Sequence, residues 1–275
     1  MKKIYIYFHV CCINNWKSVV RNIYYQIKES GLYEKTEKIK CSVIGCREEF
    51  LDFVGRDEKT EVIFSSTEEK YFSSNYRLIT KFRDDDSRPV HNEEIILNKM
   101  FEHAKREDFY VLYLHSKGVK RIKELPHQNK NIEDWVDLML WFNVYNFENA
   151  LQRLNEFDAV GVNIEIIPER GDPDWRNNNK REPQKTRFTG NFWWSKSGHV
   201  KKLGKDLSLF YGGPEDWLCN KGNFKFSSMW NSYIDHHNFP YNRSIYEHKG
   251  LKSLTVEFRD KKLIKNDLKS NYVKG

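Results

Sequence analysis

The chain reads as α/β, and three observations predict it. Runs of alternating apolar and aromatic residues take turns with stretches of helical periodicity. The 275 residues suffice for one large domain with a real core. No internal repeat or linker-like stretch divides them. A single domain over residues 1–250, followed by a less regular tail, 251–275, that packs on it or extends from it, accounts for the whole.

Element by element, residues 3–10 alternate as a strand, and Asn14-Asn15 leads into a helix from Trp16 to about Ser30, closed by Gly31. IKCSVIG, 39–45, and TEVIFSS, 60–66, are the next strands. Tyr71 to Pro89 is a polar and aromatic loop ending in FRDDDSRP. The segment HNEEIILNKMFEHAKRED follows, with Asn92 as N-cap and Ile96, Met100 and Ala104 on one face. It delivers the chain into the strand of FYVLYLHSKGV, 109–119. Asn131 to Leu154 predicts one long amphipathic helix on Ile132, Trp135, Val136, Met139 and Phe142. FDAVGVNIEII, 157–167, is a strand, and Pro168 to Lys185 is rich in Gly, Pro, Asn and charge, a loop. FTGNFWWSKSGHVKKLG gives a short aromatic strand and a helix, and YGGPEDWLCNKG a Gly-Pro turn entering another helix.

Composition narrows the function. Aromatics reach 15% with eight Trp, which suits a rich core or a surface on which sugars stack. The formal charge of +7 is spread along the chain and interleaved with acids, without a basic block or an aromatic nucleic-acid signature, so no nucleic-acid partner is expected. Five Cys without zinc-ligand spacing read as the reduced thiols of a cytoplasmic protein. MKKIYIYFHVCCI lacks a small-residue cleavage site and reads as a buried strand, and no stretch reaches transmembrane length.

Three stretches concentrate chemistry. His115-Ser116-Lys117-Gly118 ends a hydrophobic strand, the place where ligands bind in open α/β sheets. Lys117 suits phosphate, Gly118 permits close backbone approach, and His115 suits an oxygen or a metal; an ordinary strand-to-loop turn has the same composition. In GNFWW, 190–194, the turn at Asn191 precedes three aromatics that one strand face cannot all bury. At least one ring, Trp193 or Trp194 among them, is expected at a cleft or solvent as a sugar platform, with a core cluster as the competing reading. Pro214-Glu215-Asp216-Trp217 places two carboxylates at a helix start, as capping acids or as a general base. The acidic run Asp84-Asp85-Asp86 reads as a solvated loop, or as a metal site if it folds over the cleft.

In this order and spacing, YLHSKGV, TGNFWWSKS and PEDWL resemble small GT-A-type glycosyltransferases, in particular the bacterial and large-virus group related to rhamnan-synthesis enzymes. The motifs cover roughly residues 90–220. The resemblance implies a Rossmann-like GT-A domain with a mixed, mostly parallel sheet flanked by helices. It implies transfer of a hexosyl or pentosyl group, with inversion, from a nucleotide-sugar donor to a hydroxyl of a glycan or glycoprotein acceptor. It puts the donor diphosphate beside His115, Ser116, Lys117 and Gly118, with His248 closing over it, and makes Glu215 or Asp216 the base, Glu215 being favoured by the Pro-Glu pair. Because His-Ser-Lys-Gly stands where most GT-A enzymes carry Asp-x-Asp, metal-independent transfer is expected, with Mn²⁺ or Mg²⁺ as the alternative. A catalytically silent carbohydrate-binding protein is the competing reading.

Overall fold

The computed structural model describes residues 2–68, 93–119, 128–167, 185–205, 213–219, 223–248, 254–259 and 262–267. Its centre is a nine-stranded sheet: β1 (Lys3–Cys11), β2 (Thr36–Ile44), β3 (Thr60–Ser66), β4 (Phe109–His115), β5 (Ala159–Gly161), β8 (Trp193–Lys196), β9 (Phe224–Ser228), β10 (Leu254–Arg259) and β11 (Lys262–Asp267). Their spatial order is β11-β10-β9-β5-β8-β4-β1-β2-β3. Strands β1 to β4 pair in parallel, β8 runs against both β4 and β5, and β10 runs against β9 and β11. The sheet is therefore mixed and mostly parallel. With helices on both faces the domain is α/β and Rossmann-like.

Period-two alternation builds two cores. In β1 the side chains of Ile4, Ile6, Phe8 and Val10 join the core under α1 (Trp16–Glu29), α4 (Asn129–Leu140) and α5 (Phe147–Arg153). Tyr5 and Tyr7 join the opposite core under α3 (Glu94–Ala104) and α6 (Ser197–Leu203). The same parity in β4 sends Val111 and Tyr113 to the α3 face, and with them His115. A short helix, α2 (Arg47–Val54), connects β2 to β3.

Three elements depart from expectation. The helix foreseen over 131–154 is broken by a turn of π-helix, Trp141–Tyr145. There the Asn143 side chain donates to Met139 O at 2.9 Å, and the freed Asn143 carbonyl accepts the Trp194 indole N–H at 2.8 Å. The strand foreseen over 157–167 divides at Asn163, which has φ +53°. Beyond it β6 (Ile164–Ile167) leaves the main sheet to form a ribbon with β7 (Lys185–Phe188), so Lys185 opens a strand where the loop was expected to end. In the region read as a tail, β10 and β11 form a hairpin that extends the sheet through β9. Asn92, the expected N-cap of α3, lies outside the described residues, as does the whole of the loop 71–89.

Candidate functional site

The chain passes from β1 to β2 and β3 on one side, then returns to place β4 on the other side of β1. This reversal is a topological switch point, and it leaves a crevice outside the carboxyl ends of β1 and β4. Ser116 frames it. Its backbone N–H donates to His9 O at 2.9 Å, and its hydroxyl accepts the N–H of Cys11 at 2.9 Å. Gly118 has φ +91°, and a Cβ there would come within 2.7 Å of Ile132 Cγ2. The backbone approach for which a glycine was foreseen here is to helix α4.

Parity brings His115 to the face where α3 begins, beside Glu93. The imidazole Nε2–H donates to Gly190 O at 3.0 Å, and Nδ1 lies 3.7 Å from Glu93 Oε1. Glu93 Oε2 accepts the Tyr113 hydroxyl at 2.6 Å and Asn191 Nδ2 at 3.0 Å. Asn191 Oδ1 in turn accepts the Trp193 indole N–H at 2.8 Å. Asn191 is buried with φ +60°, so it acts as a relay in the frame.

Lys117 sits with Nζ 4.0 Å from the centroid of the Trp135 ring, a cation–π contact that fixes a flexible ammonium. The Trp135 ring also stacks on His236 at 5.2 Å and 11°. His236 is buried, and burial pulls its pKa down to about 4, against the pull of Asp235. Its Nε2 lies 2.7 Å from Ser232 Oγ and 3.1 Å from Asn163 Nδ2. The left-handed Asn163 that ends β5 thus also anchors the loop carrying His236.

Across the crevice, α7 (Gly213–Asp216) presents Glu215 and Asp216 to Arg187 of β7. Arg187 Nη1 lies 3.3 Å from Glu215 Oε2 and 3.9 Å from Asp216 Oδ1, and its Nη2 is 2.9 Å from Glu165. Asp216 is almost enclosed, its side chain 7% exposed against 27% for Glu215. Burial raises the pKa of Glu215. Lys117 and Arg187 oppose that rise, and Glu93 and Asp216 add to it. The carboxylate therefore feels both the lysine and the glutamate of the neighbouring loops.

Glu93 thus brings His115 and Asn191 together, and Glu215, with Asp216 beside it on Arg187, lies within electrostatic reach of Glu93 and Lys117. Trp193 and Trp194 do not serve as a platform: Phe192, Trp193 and Trp194 are all fully buried. The three rings fit because the sheet is covered on both faces. Trp193 stacks on Tyr113 in the α3 core, while Phe192 and Trp194 enter the α1 core. His248 is exposed, after the short 3-10 turn Arg243–Ile245, and is not part of the contacts that tie the crevice together. Asp84, Asp85 and Asp86 lie outside the described residues. Among the described residues no three His, Cys, Asp or Glu gather to hold a metal ion, and His115 and Glu93 are committed to the frame, so this donor set does not fit a divalent cation.

Sequence reasoning missed Glu93, Trp135, Arg187 and His236. Glu93 reads as an ordinary acid at a helix start, and Trp135 as one member of an apolar stripe. Arg187 and His236 carry no local signal, since only the β6–β7 ribbon and the β5 break bring them in.

No protein-family model matches the chain, and no curated protein does. Among solved structures it is similar to 4-diphosphocytidyl-2C-methyl-D-erythritol synthase from Anaerococcus prevotii. The identity is 8%, over 87% of this chain and 94% of that one, and the TM-score is 0.35, a likeness too loose to speak for activity.

Proposed function

We propose that this chain is a glycosyltransferase that uses a nucleotide-sugar donor and inverts the anomeric centre. The donor diphosphate lies at the His115–Gly118 turn, and Glu215 serves as general base. One observation carries the reading: an ammonium fixed over Trp135 at the switch-point turn lies within electrostatic reach of a carboxylate whose pKa is raised by burial. The resemblance in YLHSKGV, TGNFWWSKS and PEDWL supports it.

Each group has a part in the chemistry. Glu215 takes the proton of the acceptor hydroxyl as its oxygen bonds to the anomeric carbon on the face opposite the diphosphate. The bond from that carbon to the diphosphate oxygen breaks, its electron pair stays on the departing phosphate, and Lys117 offsets the charge that develops there. Arg187 orients the Glu215 carboxylate, and Asp216, almost enclosed, supports the pair. The acceptor is a hydroxyl of a glycan or glycoprotein. A silent carbohydrate-binding role loses its main support with the burial of Trp193 and Trp194.

The test is to titrate the protein with a panel of UDP-, GDP- and TDP-sugars and follow donor hydrolysis and transfer. Saturable binding with release of nucleoside diphosphate is expected for at least one donor. Absence of both across the panel overturns the proposal.

A further inference from the structure

A groove of about 260 Å³ runs between α1 and α4 and opens beside Lys117 and Gly118. Ser18 and Asn22 line it from α1, Glu133 and Asp137 from α4, and Val19 and Val136 give it an aliphatic wall. These positions recur every three or four residues, so each helix turns one face to the groove. Its volume lies just under the roughly 300 Å³ at which pockets for drug-sized ligands begin, which suits a single ring.

We propose that this groove is a subsite for one hydroxylated ring with neighbouring hydroxyls, held by Asp137 and Asn22 with its C–H face on Val19 and Val136. The inference rests on the nucleotide-sugar reading of the adjoining crevice. Among the described residues, the one hydrogen bond to the Asp137 carboxylate is a long one, 3.4 Å from Asn22 Nδ2, so the carboxylate keeps acceptor capacity for ligand hydroxyls. Asp137 is partly buried, and that burial raises its pKa, as expected of a carboxylate awaiting donors. The polarity along the groove gives it direction. Glu133 and Asp137 repel phosphate from the interior, where the one other lining cation, Lys130, is paired with Asp134 at 2.8 Å, while Lys117 attracts phosphate at the mouth, so a ring that enters leaves its phosphate at the turn. An apolar ligand would leave the Asp137 carboxylate with only the long bond from Asn22, whose own oxygen already accepts from Gln26 Nε2 at 3.0 Å. The same chemistry belongs to the ribose of the donor nucleotide and to a sugar ring of the acceptor.

Calorimetric titration separates these sources. The probes are uridine and guanosine diphosphates, their dideoxyribose analogues, inorganic pyrophosphate and methyl hexosides. The proteins are the wild type, Lys117→Ala, Asp137→Asn, which is nearly isosteric, and Ser18→Trp, which fills the groove from an exposed position; thermal melting checks each fold. We expect the two groove variants to weaken a ring-bearing probe roughly tenfold or more, as for a lost hydrogen bond to a charged group, and to leave pyrophosphate unchanged. If the affected probes are the nucleoside diphosphates, and the dideoxy analogues bind the wild type as weakly as the natural ones bind Asp137→Asn, the source is the donor ribose. If the affected probes are the hexosides, the source is the acceptor, and this holds even if no diphosphate binds, an outcome that sinks the crevice reading alone. If diphosphates bind and are lost in Lys117→Ala, while both groove variants bind every probe as the wild type does, the groove inference is wrong and the crevice reading stands. No binding of any probe to the folded wild type overturns both.

Discussion

Two networks of Tyr, His and Glu occupy opposite ends of the same strand pair, β1 and β4. At the amino end, Tyr7 donates to His103 Nδ1 at 2.9 Å, His103 Nε2–H donates to Glu107 Oε2 at 2.9 Å, and Tyr5 donates to the same oxygen at 3.0 Å. Lys3 completes the set, 3.0 Å from Glu107 Oε1. One neutral imidazole tautomer satisfies every member. Partial burial works against ionisation of Glu107, but the bonds from His103, Lys3 and Tyr5 outweigh it and bring its pKa down to about 2. At the carboxyl end, His115 donates Nε2–H to Gly190 O and holds Nδ1 3.7 Å from Glu93 Oε1, while burial raises the pKa of Glu215. The same residue types surround a carboxylate of lowered pKa at one end and lie near one of raised pKa at the other. What differs is which influence wins at the carboxylate, the bonds from His103, Lys3 and Tyr5 at Glu107 and burial at Glu215.

The largest expected effect breaks this contrast directly. Glu215→Gln should lower transfer about 10²- to 10⁴-fold, the usual cost of a lost general base, with nucleotide affinity intact. Glu107→Gln should leave the rate alone and lower unfolding stability by about 1 kcal/mol, since its bonds are partly solvent-screened. Rates and denaturant unfolding of both variants decide it. A slow Glu107→Gln beside an active Glu215→Gln would reverse the assignment of the two ends, and full activity in both Glu215→Gln and Asp216→Asn would remove the base from α7 altogether.

Next in size is the cation. Lys117→Ala should weaken a nucleoside diphosphate roughly tenfold while barely changing the bare nucleoside, because a charge-assisted phosphate bond is lost and the ring contacts are not. Lys3→Ala, at the other end, should change neither. Equal weakening of diphosphate and nucleoside by Lys117→Ala would mean that its place over Trp135 serves folding alone.

Much of this contrast could be read before the fold was known, and the unread part has a physical cause. The strand pattern of β1 and β4 and the polar turn after His115 are local features, and they located the crevice at one end of the sheet. GNFWW drew attention for sound reasons, but its rings are absorbed by a sheet covered on both faces, which no local window reveals. Glu93 and Glu107 look alike in sequence, each an acid at one end of a helix, and only their partners across the sheet separate them. Arg187 reaches Glu215 through a ribbon created by one left-handed asparagine.

pH should pull the two ends in opposite directions, with smaller effects. The folded pKa of Glu107 lies below its unfolded value near 4.5, so its contribution to stability is present above that value and is lost as pH falls toward about 2. The folded pKa of Glu215 lies above 4.5, so its ionisation opposes folding as pH rises through that higher value. Glu107→Gln should therefore flatten the acid limb of the stability curve, and Glu215→Gln should leave that limb in place. In kinetics, kcat/KM should fall as pH drops through an apparent pKa above the ordinary carboxylate range. A limb at the ordinary value would place the base elsewhere.

The smallest effect is expected from chelation. Charge on a departing diphosphate needs a counterpart, supplied by a divalent ion or by a fixed side-chain cation. The crevice supplies a cation in Lys117, whose ammonium is held in place by Trp135 before any ligand arrives, so little reorganisation is needed when the charge develops. Turnover in excess EDTA should therefore stay within a small factor of the untreated rate, and added Mn²⁺ or Mg²⁺ should change it little. The informative comparison is Lys117→Ala with and without metal. If the native rate vanishes in chelator and returns with Mn²⁺, a metal does the work assigned to Lys117. An Asp84→Ala, Asp85→Ala, Asp86→Ala triple variant that metal no longer rescues would then move the site to that acidic run. If instead the native rate survives and Lys117→Ala is slow under both conditions, the lysine stands where the ion would, and the difference between the two ends of the strand pair extends to their cations: Lys3 pairs with Glu107, while Lys117 lies over Trp135 at the turn.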